Sequence, residues 1–115
     1  MQLKAMNLIV RDLPAATAFF RDVLGLDPEV EDERFAQITA GPVTIMLSPD
    51  AMVPTVSAAG TILHFQVENV RSALEHARAN GAPVLMEPTM TDWAWESAMI
   101  AGPEEIIVDL YRPVS

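Results

Sequence analysis

The sequence repeats its own grammar at an offset of 57 residues, half the length of the 115-residue chain. From Ala5, the segment AMNLIVRDLPAATAFFRDVLGL reads as an apolar strand, an acidic corner and an amphipathic helix. From Ile62, ILHFQVENVRSALEHARANGA does the same. Leu8 falls on Phe65, Val10 on Val67, Asp12 on Asn69, Leu13 on Val70 and Ala16 on Ala73. Half of so short a chain buries little core alone, so a duplicated half-domain implies two copies that close around something.

The bulk properties narrow the function classes. At this length the chain reads as one domain, with module one at 1–48, a linker at 49–60 and module two at 61–115. The residues are 50% hydrophobic with no stretch approaching a membrane span, so a soluble, compact protein is expected. No basic segment followed by an apolar run follows Met1, so no secretory signal is expected, and zero cysteines fit a cytoplasmic location. The net charge of −9 repels phosphate backbones and anionic lipid heads, which disfavours nucleic acid and membrane partners. It suits a cationic ligand, or simply an acidic, soluble surface. Seven Met suit an adaptable cavity or ordinary gap-filling in a core.

Along the chain, Leu3 to Val10 alternates as a strand, and Asp12 caps a helix opening at Pro14. Leu13, Ala16, Phe20, Val23 and Leu24 form its apolar stripe, ended by Gly25. Glu29 to Glu33 is an acidic edge or short strand, and Phe35–Thr39 with Val43–Ser48 forms a hairpin around Ala40-Gly41-Pro42. In the second half, Ile62–Val67 is a strand and Asn69 caps a helix over 70–80 that ends at Gly81. Pro83–Glu87 is then a short strand and Pro88–Asp92 a loop. Trp93–Ala101 and Glu105–Arg112 form a closing hairpin around Gly102-Pro103. The pattern βαβββ-βαβββ places the chain in the α+β class, with helices on one face of the sheets and the other face free.

MNLIVRDLPAATAFFRDVLGL, HFQVENVRSALEHARANGA and DWAWESAMIAGPEEIIVDLYRP, in that order, resemble the opening strand and helix, the second-module opening and the closing hairpin of the vicinal oxygen chelate superfamily. This is the glyoxalase, bleomycin-resistance and extradiol-dioxygenase group. The resemblance implies two βαβββ modules forming a cupped, partly open barrel-like sheet with outer helices, and a homodimer. Members that hold a metal place one ligand, usually His or Glu, in each of four strands. The matching positions here are Ala5, Met46, Ile62 and Asp109. A divalent cation needs about four to six donors from protein and solvent. Asp109 alone offers an oxygen, and Met46 offers a soft thioether suited to copper. No metal and no other cofactor is therefore expected.

Strand parity shows what replaces the metal, because alternate residues point to opposite faces. Asn7 joins Ala5 and Ile9 on the inward face of the first strand. On the fourth, Met46 joins Thr44 and Ser48. Ile62, His64 and Gln66 share the inward face in module two, with Ile107, Asp109 and Tyr111 on the last strand. Such an apolar surface with a few polar groups suits a small-molecule site. His64 with Asp109 would make an oriented general base, or else a ligand-binding or packing pair. Tyr111 and Gln66 could polarise a substrate, and Tyr111 could equally be structural. Trp93 and Trp95 share one strand face with Ser97 and Met99, where indoles stack on flat or cationic ligands or bury elsewhere. His76 shares a solvated helix face with Glu75, Arg78 and Asn80. Glu96 occupies a position where many relatives carry Arg, which counts against anion pairing there. Five scattered Gly form no phosphate loop, and no serine elbow is present.

These residues lead to a metal-independent binder of an apolar or aromatic, or cationic, small molecule, held in the cup of a homodimer. Drug or metabolite sequestration is its most concrete form. The alternative is an isomerase or lyase with His64 as base, Asp109 as orienter, and Tyr111 or Gln66 as donor. A structural or regulatory dimer is a third reading. Metal-dependent glyoxalase or dioxygenase chemistry ranks last, because both reactions use the metal.

Overall fold

Asp12 and Asn69, equivalent positions of the repeat, do the same work in the computed structural model, which describes residues 1–114. Asp12 Oδ1 accepts from the Ala15 amide at 3.0 Å, and Asn69 Oδ1 accepts from the Ser72 amide at 2.9 Å. Each satisfies an amide that the first helical turn leaves without a partner. The helices they open are α1, Leu13–Ala18, and α2, Val70–Ala79.

Around α1 lie β1 (Ala5–Ile9), β2 (Val30–Glu31), β3 (Ala36–Ala40) and β4 (Val43–Ser48), in sheet order β1-β4-β3-β2. Around α2 lie β5 (Ile62–Gln66), β6 (Val84–Met90), β7 (Trp95–Ala101) and β8 (Ile107–Pro113), in the matching order β5-β8-β7-β6. In each sheet the first strand runs parallel to the last, and the other pairs are antiparallel. The fold is α+β, two tandem βαβββ modules. The chain divides into two compact units, Met1–Ala59 and the segment from Gly60 onward. No helix among the described residues is long and apolar enough to cross a membrane.

Each unit has its own core on the helix side of its sheet. Leu8, Val10, Leu13, Ala16, Phe20 and Leu47 are buried in the first. Leu63, Val70, Leu74, Ala98, Ile100, Val108 and Leu110 are buried in the second. Stripes at helical spacing meet alternate strand residues, and their burial drives the packing.

Several boundaries differ from the sequence expectation. The first helix does not stay α-helical: Phe19–Val23 widens into a π-helical turn, with the Leu24 amide on the Phe19 carbonyl. Phe20 and Val23 are buried there, and Leu24 is left only half-buried. Strand β6 runs through Pro88 to Met90, where a loop was expected. It is an edge strand, so a proline without an N–H costs the ladder nothing on its open side. The register shifts twice along β6, as an edge strand carrying proline permits. The final strand begins at Ile107 rather than Glu105, because Pro103–Ile106 closes a tight turn, with the Ile106 amide on the Pro103 carbonyl at 3.0 Å and positive φ at Glu104 and Glu105.

Candidate functional site

The site is built by the β5–β8–β7 ladder of module two. Parallel pairing sets His64 directly opposite Asp109 and Gln66 opposite Tyr111. Antiparallel pairing sets Asp109 opposite Met99, and Tyr111 opposite Ser97. Ile62, His64, Gln66, Met99, Asp109, Tyr111 and Trp95 therefore share the sheet face turned away from α2. Ser97 joins them. The β5 side chains alternate accordingly, with Leu63 buried and both Ile62 and His64 exposed.

His64 Nδ1 lies 2.7 Å from Asp109 Oδ2. The Asp109 side chain is 1% exposed and that of His64 46% exposed. An ionised carboxylate only accepts, so with Asp109 ionised Nδ1 is the donor of this bond and Nε2 is left outside it. Charge-assisted bonds of this kind hold an imidazole in one orientation. Asp109 Oδ1 has no hydrogen-bonding partner among the described residues, and neither does the buried Ser97 Oγ.

Aromatic rings stand beside the pair. Trp95 stacks on Tyr111 with centroids 3.8 Å apart and planes 17° apart. The His64 ring meets Trp95 edge-on at 6.0 Å and Tyr111 at 6.4 Å. Trp93 was expected on the same strand face as Trp95. It lies instead in the turn before β7, 62% exposed. Hydrogen bonds between Thr91 and Trp95 close that turn, and Ala94 adopts a φ of 63°. The left-handed residue breaks the strand alternation, which is why parity fails for Trp93. Its ring still reaches Trp95 edge-on at 6.2 Å.

Module one carries the equivalent row with different chemistry. Asn7 pairs with Met46, so an amide and a thioether stand where module two has His64 and Asp109. Asn7 Oδ1 lies 3.1 Å from Ser48 Oγ, which also lies 2.9 Å from the Asp50 carbonyl. Asn7 and Met46 are thus neighbours within module one, and the other expected ligand-binding residues gather in module two.

Glu96 faces the opposite way, toward α2. It accepts from Arg112 Nε at 2.8 Å, and Arg71 Nε stands 3.9 Å from its other oxygen. The acid therefore ties the sheet to the start of α2 and takes no part on the His64 face. Beside Arg112, a cavity of about 440 Å³ is lined by Gln66, Val67, Glu68, Arg112 and Pro113 at the ends of β5 and β8. His76 is exposed, as a solvated helix face requires.

The donor set does not fit the divalent cation of metal-bearing relatives. Ala5 and Ile62 have no donor atom, and Met46 has only a thioether. Asp109 has one oxygen committed to His64. No group of three or more His, Cys, Asp or Glu among the described residues could hold a metal ion. Ser97 and the Glu96–Arg112–Arg71 cluster were not singled out as a pair and a tie from the sequence. Strand parity did carry a signal for Ser97, since it places a small polar residue in line with Trp95 and Met99.

Two tandem βαβββ modules with polar and aromatic side chains on a sheet face define the class of fold. The family follows from comparison: residues 2–110 match the Glyoxalase/Bleomycin resistance protein/Dioxygenase superfamily, and the chain belongs to it. A solved structure described as a conserved domain protein is 34% identical over 97% of this chain and 98% of its own, with a TM-score of 0.90. TnmS3, an antibiotic-binding protein from Streptomyces sp. CB03234, is 19% identical, with 98% and 96% of the two chains covered and a TM-score of 0.82. A lactoylglutathione lyase from Agrobacterium tumefaciens is 22% identical, with 96% and 92% covered and a TM-score of 0.77. No protein of curated function matches the sequence.

Proposed function

We propose that the chain is a metal-independent small-molecule-binding protein that holds a flat, apolar or aromatic ligand against the His64–Asp109 face of module two. The observation that carries this reading is the His64–Asp109 pair, bonded to itself at 2.7 Å beside the Trp95–Tyr111 stack. A fixed imidazole supplies one oriented polar contact, and stacked rings supply flat apolar area at little entropic cost. Sequestration of a drug or metabolite is the concrete form, in keeping with the family and with the antibiotic-binding neighbour. The reading includes a homodimer and a cytoplasmic location, as the resemblance and the cysteine-free composition suggest.

The same geometry favours one second reading, a metal-free isomerase or lyase. Asp109 orients His64, and Nε2 is the base that takes a proton from a bound substrate. Tyr111 or Gln66 then polarises the substrate.

Purified protein is to be assayed for metal and screened by calorimetry against flat aromatic compounds. Metal-free protein that binds them, with affinity lowered in Trp95→Ala, supports the proposal. One tightly held metal equivalent per chain sinks it. For any compound that is turned over, His64→Ala and Asp109→Asn abolish conversion under the enzyme reading and chiefly weaken binding under the binder reading. Sedimentation velocity reads the oligomeric state.

A further inference from the structure

We propose that Asp109 Oδ1 and Ser97 Oγ together anchor a single hydroxyl group of the ligand, so that the site selects hydroxylated aromatic compounds. This rests on the ligand-binding reading above and adds the polar group the ligand carries. Both residues are 1% exposed, and both atoms lack a hydrogen-bonding partner among the described residues. Buried polar atoms are almost always paired, so two orphans on one sheet face call for a shared occupant.

The two residues are diagonal neighbours on the β7–β8 ladder, since Ser97 stands opposite Tyr111 and Asp109 opposite Met99. The Cβ atoms of diagonal neighbours on an antiparallel pair stand about 7 Å or somewhat less apart, and a Ser Oγ and an Asp Oδ1 that reach toward each other from that spacing come within the roughly 5.5 Å that two hydrogen bonds to one oxygen span. Both point to the face that holds His64 and the Trp95–Tyr111 stack. A ring carrying the hydroxyl lies against that stack. Met99, half-buried beside Asp109, is the flexible side chain that yields to admit it.

Hydrogen-bond accounting selects the group. Asp109 has given Oδ2 to His64, and its Oδ1 only accepts. Ser97 brings one hydrogen to donate. A hydroxyl donates to Oδ1 and accepts from Ser97, which satisfies both atoms with one oxygen. An ammonium donates to both but leaves the Ser97 hydrogen without an acceptor. An ether or carbonyl accepts from Ser97 but sets lone pairs against the carboxylate. Of these groups only the hydroxyl leaves nothing unpaired, and an unpaired buried group is the costly outcome.

The test is calorimetric titration of the full chain with naphthol, its methyl ether and naphthylmethylammonium. Naphthol is expected to bind the unaltered protein roughly 10-fold tighter than the ether. Ser97→Ala is expected to narrow that preference to about 2-fold or less while the affinity for the ether holds. Ser97→Cys, whose thiol donates weakly, serves as the second variant and is expected to fall between the two. Equal affinity for naphthol and ether in the unaltered protein overturns the anchor and leaves the binding reading standing. A preference for naphthol that survives Ser97→Ala also overturns it. So does tightest binding of the ammonium with no effect of Ser97→Ala, which assigns the anchor to Asp109 alone. If none of the three binds, the binding reading and the anchor fall together.

Discussion

His64 and Asp109 are partners across a parallel ladder, and their side chains meet at 2.7 Å because β5 and β8 pair in register from Ile62–Ile107 to Gln66–Tyr111. A slip of one residue would send His64 to the helix side and break the pair. The pair is costly: Asp109 is fully buried with one oxygen unpartnered in the protein.

Replacing that carboxylate together with its imidazole partner by apolar side chains should therefore stabilise the fold. Asp109→Leu combined with His64→Leu removes the buried carboxylate without leaving its partner unpaired, and a gain on the order of 1 kcal/mol is expected, read as a raised denaturation midpoint with unchanged slope. The same variant should lose ligand binding. A clear loss of stability would show that Asp109 is a structural residue.

The closing turn holds a second source of strain. Glu104 and Glu105 have φ of 51° and 67°, a left-handed conformation that costs a side-chain-bearing residue about 1 kcal/mol. Glu105→Gly is expected to recover most of this, roughly 0.5–1 kcal/mol in chemical denaturation. At Gly102 the reverse holds, because an added Cβ would stand 3.0 Å from the Ile106 carbonyl oxygen. Gly102→Ala is expected to destabilise.

Trp95 is expected to carry ligand stacking and Trp93 much less, since Trp95 lies on Tyr111 and Trp93 sits at an exposed turn. Trp95→Ala should weaken binding of an aromatic ligand by roughly 10-fold, against about 2-fold for Trp93→Ala, by calorimetry. The reverse ranking would move the ligand to the turn.

Leu74 is buried under module two's helix, and Leu85 on the edge strand is 56% exposed. Leu74→Ala should cost about 2–5 kcal/mol and Leu85→Ala within roughly 0.5 kcal/mol, by urea unfolding. Equal costs would contradict the division between core and edge.

The repeat, the caps and the helix stripes were legible in the residues, because each is a local pattern. Asp12 and Asn69 cap because short polar side chains at that position reach the free amides of the next turn. The faces of β5 and β8 followed from alternation alone. Trp93 was misplaced because parity assumes an unbroken strand, and Ala94 leaves it. Pro88 looked like a strand end, yet on an edge it ends nothing.

By itself, then, the sequence determined the fold class and the two modules. Both depend on residue type and spacing, which a linear chain displays. Only the tertiary structure decided that His64 bonds to Asp109, that Trp95 lies on Tyr111, and that Glu96 turns to Arg112 instead of the ligand face. Each pair is separated by 16 to 45 residues, and register between strands, not proximity in sequence, brings its members together.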